Sequence, residues 1–165
     1  MIEKTAQYKK NFFICLPIFL LCFILDRVSK IYVINFFISN NYNDQYINSF
    51  INIVLIWNKG IAFGLLQSEN IFYHLISFII LFIIIFLFYV VMKSKNLIEL
   101  SCFSILIGGA LGNFYDRIFY GSVPDFIDLH YKNFHWFTFN IADIFITLAI
   151  MAILFFDIFK FRIKA

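Results

Sequence analysis

The stretch IFYHLISFIILFIIIFLFYVVM, residues 71–92, decides the class of fold. It contains no Asp, Glu, Lys or Arg and is long enough to cross the hydrocarbon core of a bilayer as one helix. Over the full 165 residues, 62% are hydrophobic and only 14% are charged, whereas an average soluble domain is about 25% charged. A core of this size cannot bury so much apolar side chain, so the bilayer must be part of the solvent.

Three more apolar runs accompany this segment, and the sequence therefore predicts an all-α membrane protein with four transmembrane helices. The first run is interrupted by Asp26-Arg27-Val28-Ser29-Lys30 and resumes after it. Because no internal repeat and no separate soluble domain is apparent, residues 1–165 are expected to form a single polytopic domain. The predicted spans are 12–37, 71–92, 97–116 and 141–159, with outer connections at 38–70 and 117–140.

The distribution of cations predicts the orientation. Lys and Arg concentrate before the first span, between the second and third, and after the fourth, so the positive-inside rule places both termini in the cytoplasm. The N-terminal run resembles a secretory signal, but Asp26 follows it instead of a small-residue cleavage site, and a retained span is expected. Near the outer span ends, Arg27, Lys30 and Arg117 are expected to extend their long side chains toward the interface.

Two weaker patterns complete the fold prediction. The sequence INIVLIWNKGIAFGLL, residues 51–66, is rich in β-branched and aromatic residues, which predicts short strands on the outer membrane surface. Cys15, Cys22 and Cys102 all lie in apolar runs without a CxxC pair. They are therefore expected to be buried packing residues rather than disulfide or zinc ligands.

Polar residues recur at the predicted outer ends of the spans. Asp26 and Lys30 are four residues apart, in the order that favours an ion pair on one helix face. Asn58 and Gly60 are typical of a turn with backbone close to a neighbour. Each pattern is compatible with a purely structural role as well as with a functional site.

The third span ends in a small-residue and polar cluster. Gly108 and Gly112 form a GxxxG motif, which allows two helices to approach closely. Asn113, Asp116 and Arg117 follow at spacings of three and four, so they lie on one face of the helix. The cluster could tie helices together or contribute to a site.

Two carboxylates bracket the last outer connection. Asp125 follows Pro124, which fixes the local backbone, and Asp143 lies in the first turn of the fourth span behind Asn140, a good N-cap. If the third and fourth spans are neighbours, both carboxylates can meet and share one proton, as in aspartic proteases. A first-turn acid also suits the helix dipole, so a structural role for Asp143 stays open. Asp128 is expected to be solvated.

Other chemistries are less well supported by the sequence. Asp125, Asp128, His130 and His135 could be drawn as metal ligands, but there is no HExxH and the spacing fits no standard set. No nucleophile elbow and no phosphate-binding glycine loop occurs, and no nucleic-acid partner is expected. The rival class is a proton- or ion-coupled small membrane transporter that uses the outer-face acids, because intramembrane acids often mark ion paths.

Taken in order along the chain, the motifs resemble the lipoprotein signal peptidases, the type II signal peptidases of bacteria. The resemblance covers nearly the whole chain and shows no departure at the motif positions. The motifs are Asp26-x-x-Ser29-Lys30, Asn58-x-Gly60-x-Ala62-Phe63, Gly109-Ala110-x-Gly112-Asn113-x-x-Asp116-Arg117, Gly121-x-Val123-x-Asp125-Phe126 and Phe139-Asn140-x-Ala142-Asp143.

The resemblance implies four transmembrane helices, a β-cradle around 41–66, and removal of signal peptides from prolipoproteins just before a diacylglyceryl-modified cysteine. It implies that Asp125 and Asp143 are the catalytic aspartates and that no metal or organic cofactor is used. It also implies a bacterial inner-membrane enzyme that contacts lipids, binds globomycin-type inhibitors and is expected to be a monomer. The implied substrate-binding or supporting residues are Asn58, Gly60, Asn113, Asp116, Arg117, Asn140, Asp26 and Lys30.

Overall fold

Four long helices and one small antiparallel sheet make up the structure. The computed structural model describes the backbone of residues 2–60 and 71–164, and the side chains of 6–60 and 74–158. The part of the predicted strand region beyond Gly60, together with Ala62 and Phe63 of the second motif, lies outside the described residues. The elements in chain order are α1 (Ile2–Ser39), β1 (Gln45–Tyr46), β2 (Ile51–Asn58), α2 (Ile71–Lys93), α3 (Leu97–Tyr120), β3 (Val123–Tyr131), β4 (Phe134–Phe139) and α4 (Ile141–Lys164).

All four helices contain a segment that is long and apolar enough to cross a membrane. Large apolar side chains remain exposed along them, for example Phe78 at 68% and Phe82 at 67% on α2. Such exposure would be costly in water but is the normal state of a lipid-facing surface. The membrane-spanning segments are Ala6–Ser39, His74–Lys93, Leu97–Tyr120 and Ile141–Ile158.

Helix α3 is the centre of the bundle and packs against the other three helices. At its N-terminus, the side chain of Asn96 caps the helix. At its C-terminus, the helix continues to Tyr120, beyond the predicted end near 116, and Gly121 ends it with φ of 66°. Glycine suits that left-handed conformation because it has no Cβ to clash. The helix is thus about one turn longer than the predicted span, so Arg117 lies within it.

The small residues of α3 set its distance to its neighbours. A Cβ on Gly108 would lie 2.6 Å from Cys22 Cβ of α1, and one on Gly109 would lie 2.7 Å from the Ala142 carbonyl oxygen of α4. The predicted close approach at Gly108 and Gly112 is confirmed, and Gly109 adds a second close contact on the opposite side. Cys15, Cys22 and Cys102 are buried free thiols, as predicted.

The sheet has four strands in the order β1-β2-β3-β4, and all pairings are antiparallel. The prediction of strand structure in β2 is confirmed, and the sheet extends beyond the region around 41–66 that is expected to form the cradle. Two of the four strands, β3 and β4, come from the connection between the third and fourth spans. They form a hairpin that pairs with β2 and carries the chain directly into α4.

Candidate active site

Asp125 lies on β3, where two asparagines hold its carboxylate. Asn140 Nδ2 donates to Asp125 Oδ1 at 2.6 Å, and Asn58 Nδ2 donates to Asp125 Oδ2 at 2.9 Å. Asn58 ends β2 and pairs with Val123 in the register, so its side chain reaches the carboxylate two residues along the neighbouring strand. Asp125 is 3% exposed. Two separate elements therefore fix the position of this acid.

Asp143 lies in the first turn of α4 and forms a reciprocal cap with Asn140. Asp143 N donates to Asn140 Oδ1 at 3.1 Å, while Asn140 N donates to Asp143 Oδ2 at 3.2 Å. The predicted N-cap is therefore confirmed, with the acid three residues on closing a capping box. Asp143 also accepts a 2.8 Å hydrogen bond at Oδ1 from Asn113 Nδ2. Each oxygen of both carboxylates thus accepts one N–H.

The environment of Asp125 disfavours its ionised form. Burial raises the pKa of this carboxyl to about 6, and the negative charge of Asp143 acts in the same direction. The hydrogen bonds from Asn58 and Asn140 and the charge of Lys30 lower the pKa and only partly offset these effects. The result is one carboxyl that holds a proton nearly to neutral pH beside a second carboxyl.

A buried lysine lies behind the two aspartates. Lys30 Nζ donates to Asp26 Oδ2 at 2.9 Å, to Asn113 Oδ1 at 2.8 Å and to Asp116 Oδ2 at 2.7 Å. All three ammonium protons are therefore used. Because the ammonium group can only donate, it requires the oxygen of Asn113 on its side and turns the NH₂ toward Asp143.

The expectation that Arg27, Lys30 and Arg117 extend to the interface is wrong. Lys30 is 0% exposed and Arg117 is 7% exposed, while Arg27 pairs with Asp116. The physical reason is that α1 and α3 pack with their polar ends against each other. Arg27 and Lys30 therefore pair with carboxylates inside the protein, and Arg117 donates to backbone carbonyl oxygens. The predicted Asp26–Lys30 ion pair is confirmed.

Arg117 links the end of α3 to the turn after β2. Its Nη2 donates to the Gly60 carbonyl oxygen at 3.0 Å, and its Nη1 donates to the Asn113 carbonyl oxygen at 3.3 Å. Asn58 Oδ1 accepts from Gly60 N at 2.8 Å. The sequence-predicted turn at Asn58 and Gly60 is therefore held by its own asparagine and by the guanidinium.

Asp26 supports the start of α4 from the first helix. Its Oδ1 accepts from Ala142 N at 3.0 Å, which satisfies one of the N–H groups at that helix terminus. A Cβ on Gly112 would come within 2.3 Å of Asp26 Oδ2. Glycine at this position leaves space for the carboxylate between α1, α3 and α4.

Both aspartates line a cavity of about 400 Å³. Apolar side chains of α2, α3 and α4 form most of its wall. Sequence reasoning missed these wall residues and also missed Thr147, whose only signal is its position one turn along α4 from Asp143. The polar lining residues are Asn58, Asn113, Arg117, Asp125, Asn140, Asp143 and Thr147, and the apolar ones include Ile80, Ile83, Leu87, Leu106 and Ile146.

The four residues considered as metal ligands fall into two groups. Asp125 belongs to the cavity, whereas Asp128, His130 and His135 gather elsewhere on β3 and β4. The expectation that Asp128 is solvated is wrong, because it is 3% exposed and lies 2.7 Å from His135 Nδ1. Its strand position places it on the same face as the buried Phe126 rather than at a hairpin tip.

Every candidate site residue predicted from the sequence lies in one connected set. Asp125 and Asp143 share Asn140 as a partner, Asn113 joins Asp143 to Lys30, and Lys30 joins Asp26 to Asp116. Arg117, Gly60 and Asn58 complete the set from the other side. Two carboxyls with a raised pKa on one of them, beside an apolar cavity, have the composition of an aspartic hydrolase site.

Comparisons with known proteins identify the family of the chain. The profile of the family described as signal peptidase (SPase) II matches residues 18–160. A lipoprotein signal peptidase of Pelagibacter ubique (strain HTCC1062) is 46% identical over 151 residues, which cover 91% of this chain and 90% of the relative. A lipoprotein signal peptidase of Anaplasma phagocytophilum (strain HZ) is 38% identical over 133 residues, which cover 79% and 82% respectively.

Two solved structures of bacterial membrane enzymes are similar to this chain over most of its length. A bacterial membrane enzyme determined by the in meso method at 2.3 Å resolution has a TM-score of 0.71 and 30% identity, covering 92% of this chain and 91% of that one. A second, determined at 1.9 Å, has a TM-score of 0.65 and 32% identity, covering 86% and 90%. The profile and the relatives span most of the chain, and the chain belongs to the signal peptidase II family of aspartic peptidases.

Proposed function

We propose that this protein removes the signal peptide from diacylglyceryl-modified prolipoproteins, cutting on the N-terminal side of the lipidated cysteine, with Asp125 and Asp143 as the catalytic pair. Membership of the family accounts for the prolipoprotein substrate. The observation that carries the residue assignment is that Asn140 bonds both aspartates at the wall of one apolar cavity. No other described carboxylates line that cavity.

The proposed chemistry uses one proton shared by the two acids. The ionised carboxylate takes a proton from water, whose oxygen attacks the scissile carbonyl carbon, while the protonated carboxyl donates to the carbonyl oxygen. The tetrahedral intermediate then returns that proton to the second carboxyl as the peptide C–N bond breaks, and the carboxyl that took the water proton delivers it to the leaving amine nitrogen. The proton is assigned to Asp125 in the free enzyme, because burial and the charge of Asp143 raise the pKa of this carboxyl to about 6. Asp143 is then the carboxylate that activates water.

The surrounding N–H donors hold the acids in place for this step. Asn58 and Asn140 occupy one lone pair on each oxygen of Asp125, and Asn113 and the Asn140 backbone do the same for Asp143. Rotation of either carboxylate would break two hydrogen bonds at once. The remaining lone pairs of both carboxylates therefore point in fixed directions. Catalysis by proximity and orientation requires such a fixed geometry.

The bundle offers a route for a substrate that is itself in the membrane. Helices α2 and α4 scarcely contact one another over their described residues, although both pack on α3. Side chains of all three line the cavity. An apolar signal helix or acyl chain could thus reach the aspartates laterally from lipid, and a lipid anchor would hold the cleavage site near the interface.

The placement of the site follows from the cation distribution. With the positive-inside rule, both termini and the turn at Lys93 lie in the cytoplasm, and the aspartates with the sheet lie at the outer face of a bacterial inner membrane. Bound lipids, a monomeric state and inhibition by globomycin-type cyclic peptides belong to the same proposal. Family membership favours a peptidase over a transporter that uses the outer-face acids.

A paired-substrate assay tests the proposal. The purified full-length protein is incubated with a diacylglyceryl-modified precursor and with its unlipidated counterpart, each with and without globomycin. We expect cleavage only of the lipidated precursor, with mass spectrometry placing the new N-terminus at the lipidated cysteine, and loss of cleavage with globomycin. Equal cleavage of both precursors, or a cut elsewhere, would overturn the proposed specificity.

A further inference from the structure

A second cluster of titratable side chains lies on the hairpin, outside the cavity. Asp128 and His130 are two residues apart on β3 and share a strand face, while His135 pairs with His130 across the register to β4. The ligand atoms of the three residues lie within 4.8 Å of one another. The two imidazoles are nearly parallel, with ring centroids 5.4 Å apart. The hairpin therefore presents two imidazoles and one carboxylate to a common point.

Hydrogen bonding explains only part of this cluster. Asp128 Oδ2 lies 2.7 Å from His135 Nδ1 but 3.7 Å from His130 Nδ1. His130 is 5% exposed, and within the described part of the chain its Nδ1 has no hydrogen-bond partner. A buried, unpaired ring nitrogen next to a buried carboxylate is costly, because neither group has water to solvate it.

The neighbouring strand adds a second unsatisfied acceptor. Asn52 on β2 pairs directly with Asp128 in the register, and its Nδ2 reaches Asp128 Oδ2 only at 3.4 Å. Asn52 Oδ1 is buried and has no hydrogen-bond partner among the described residues. Two buried polar atoms near the Asp128 carboxylate thus lack a hydrogen-bond partner among the described residues. A cation held by Asp128 and His130 would give the His130 ring nitrogen a partner.

We propose that Asp128, His130 and His135 form a binding site for one Zn²⁺ ion on the surface sheet, separate from the peptidase site. Imidazole nitrogen and carboxylate oxygen are ligands that Zn²⁺ prefers. The two imidazoles and one carboxylate supply three of the four tetrahedral positions and leave the fourth to water. Selection of a hard cation such as Mg²⁺ is disfavoured by the two nitrogen ligands.

The present geometry is close to what such an ion needs. Zn–N and Zn–O bonds of about 2.0–2.1 Å at tetrahedral angles place neighbouring ligand atoms about 3.3–3.4 Å apart. The carboxylate oxygen is 2.7 Å from one imidazole nitrogen and 3.7 Å from the other, on either side of that spacing. The side chain of His135 is 57% exposed, so it can adjust without disturbing packing.

The site would fasten the hairpin that carries an active-site residue. Its ligands come from both β3 and β4, and β3 also carries Asp125. A bound ion would cross-link β3 and β4 near the C-terminal end of β3, further along the strand than Asp125. It would hold that end of β3 in register with β4. The ion would contribute to the stability of the sheet, not to the hydrolytic step.

A metal titration with the untagged full-length protein tests the site. The protein is stripped with a chelator in detergent, and ZnCl₂ alone is titrated by calorimetry. We expect one Zn²⁺ per chain and at least about tenfold weaker binding in His135→Ala, since even outer partners of zinc ligands contribute about 10–100-fold. Because the side chain of His135 is exposed, His135→Ala should not disturb folding. Asp128→Asn, which keeps the size of the side chain, is the second test.

His74→Ala is the matched control, because His74 is the third histidine of the chain and is not in the cluster. It should bind Zn²⁺ as the unchanged protein does. Zn²⁺ should also raise the unfolding temperature of the unchanged protein and of His74→Ala but not of His135→Ala, while cleavage of the lipidated precursor persists in all three. No stoichiometric binding, or equal binding in His135→Ala and Asp128→Asn, would overturn the proposal.

Discussion

The carboxamide nitrogen of Asn140 donates to Asp125 across 2.6 Å, while its oxygen accepts from Asp143 N and caps the first turn of α4. One side chain thereby fixes the end of a hairpin, the start of a membrane helix and the relative position of two acids. Both polar atoms of Asn140 are used, and the residue is 0% exposed. A change at this position therefore acts on the fold and on the site through different atoms.

Replacing either central aspartate by asparagine should abolish cleavage. Asp125→Asn and Asp143→Asn each remove one of the two carboxyls that share the proton but keep the side-chain volume. The rate of cleavage should therefore fall by at least about 10⁴-fold, as it does when one member of another catalytic group of residues is removed. Measurement is by gel shift of a lipidated precursor. The control is Asp157→Asn, an exposed carboxylate on α4, which should retain full activity.

The two variants must also insert and unfold like the parent protein. Matching thermal unfolding in detergent would show that the loss is chemical. Residual cleavage within tenfold of the parent rate by either variant would remove Asp125 and Asp143 from the proposed mechanism.

Asn140→Ser separates capping from positioning. Serine is a good N-cap, so stability should stay close to that of the parent, but the donor to Asp125 is lost. Since removing one partner of a buried hydrogen bond costs about 1–3 kcal/mol, kcat/KM should fall about 5–150-fold. Asn140→Ala loses both functions and should in addition unfold about 0.5–2 kcal/mol more easily. Unchanged kcat/KM in Asn140→Ser would show that its amide nitrogen does not position Asp125.

Lys30→Met should destabilise the protein and slow catalysis together. Methionine fills the space but leaves the buried carboxylates of Asp26 and Asp116 without their shared cation, which costs about 3–5 kcal/mol. It also frees the Asn113 amide to rotate away from Asp143. Chemical denaturation and precursor cleavage measure the two effects. Lys10→Met, at an exposed position of the same helix, should change neither.

Cleavage should weaken as the pH rises through about 6. Asp125 has a raised pKa of about 6, so it is protonated below that pH and ionised above it. Because the mechanism needs one shared proton, kcat/KM should fall about tenfold per pH unit on the alkaline side, since kcat/KM reports the free enzyme. Unfolding temperatures in the same buffers control for loss of fold. A kcat/KM that stays constant or increases from pH 6 to 8 contradicts this assignment.

A fusion experiment tests the orientation. A reporter attached after Ala165 should be active in the cytoplasm, because cations cluster near both termini and at the turn after α2. A reporter inserted after Lys132, in the β3–β4 turn, should report the opposite side. Periplasmic activity of the C-terminal fusion would reverse the proposed placement of the aspartates.

The membrane helices could be predicted from the sequence because lipid imposes a local rule. A run such as 71–92 needs no partner to satisfy its backbone, so hydropathy alone identifies it. The same rule fails for strands, whose hydrogen bonds depend on residues far along the chain. Residues 123–131 are therefore not predicted as a strand from the sequence, although they pair with β2, which lies more than sixty positions away in the chain.

The residues of the candidate site were also identified from sequence, but their contacts were not. The order of the motifs along the chain identifies Asp125, Asp143 and Lys30 as residues of one site. The four-residue helical spacing predicts the Asp26–Lys30 ion pair. Nothing in the spacing indicated that Lys30 is completely buried with three acceptors, or that Asp128 is buried beside His135. Burial depends on which elements pack together, and a linear pattern does not contain that information.

By itself, the sequence determined four apolar spans, the polar residues at their ends and the capped start of α4, because each depends on residues within a few positions of one another. The tertiary structure alone decided the four-stranded sheet, the buried ion network around Lys30 and the apolar cavity at Asp125 and Asp143. Each of these joins groups from different helices and strands. Their energies arise from desolvation and pairing across long chain separations, which exist only once the helices have packed around the glycines of α3.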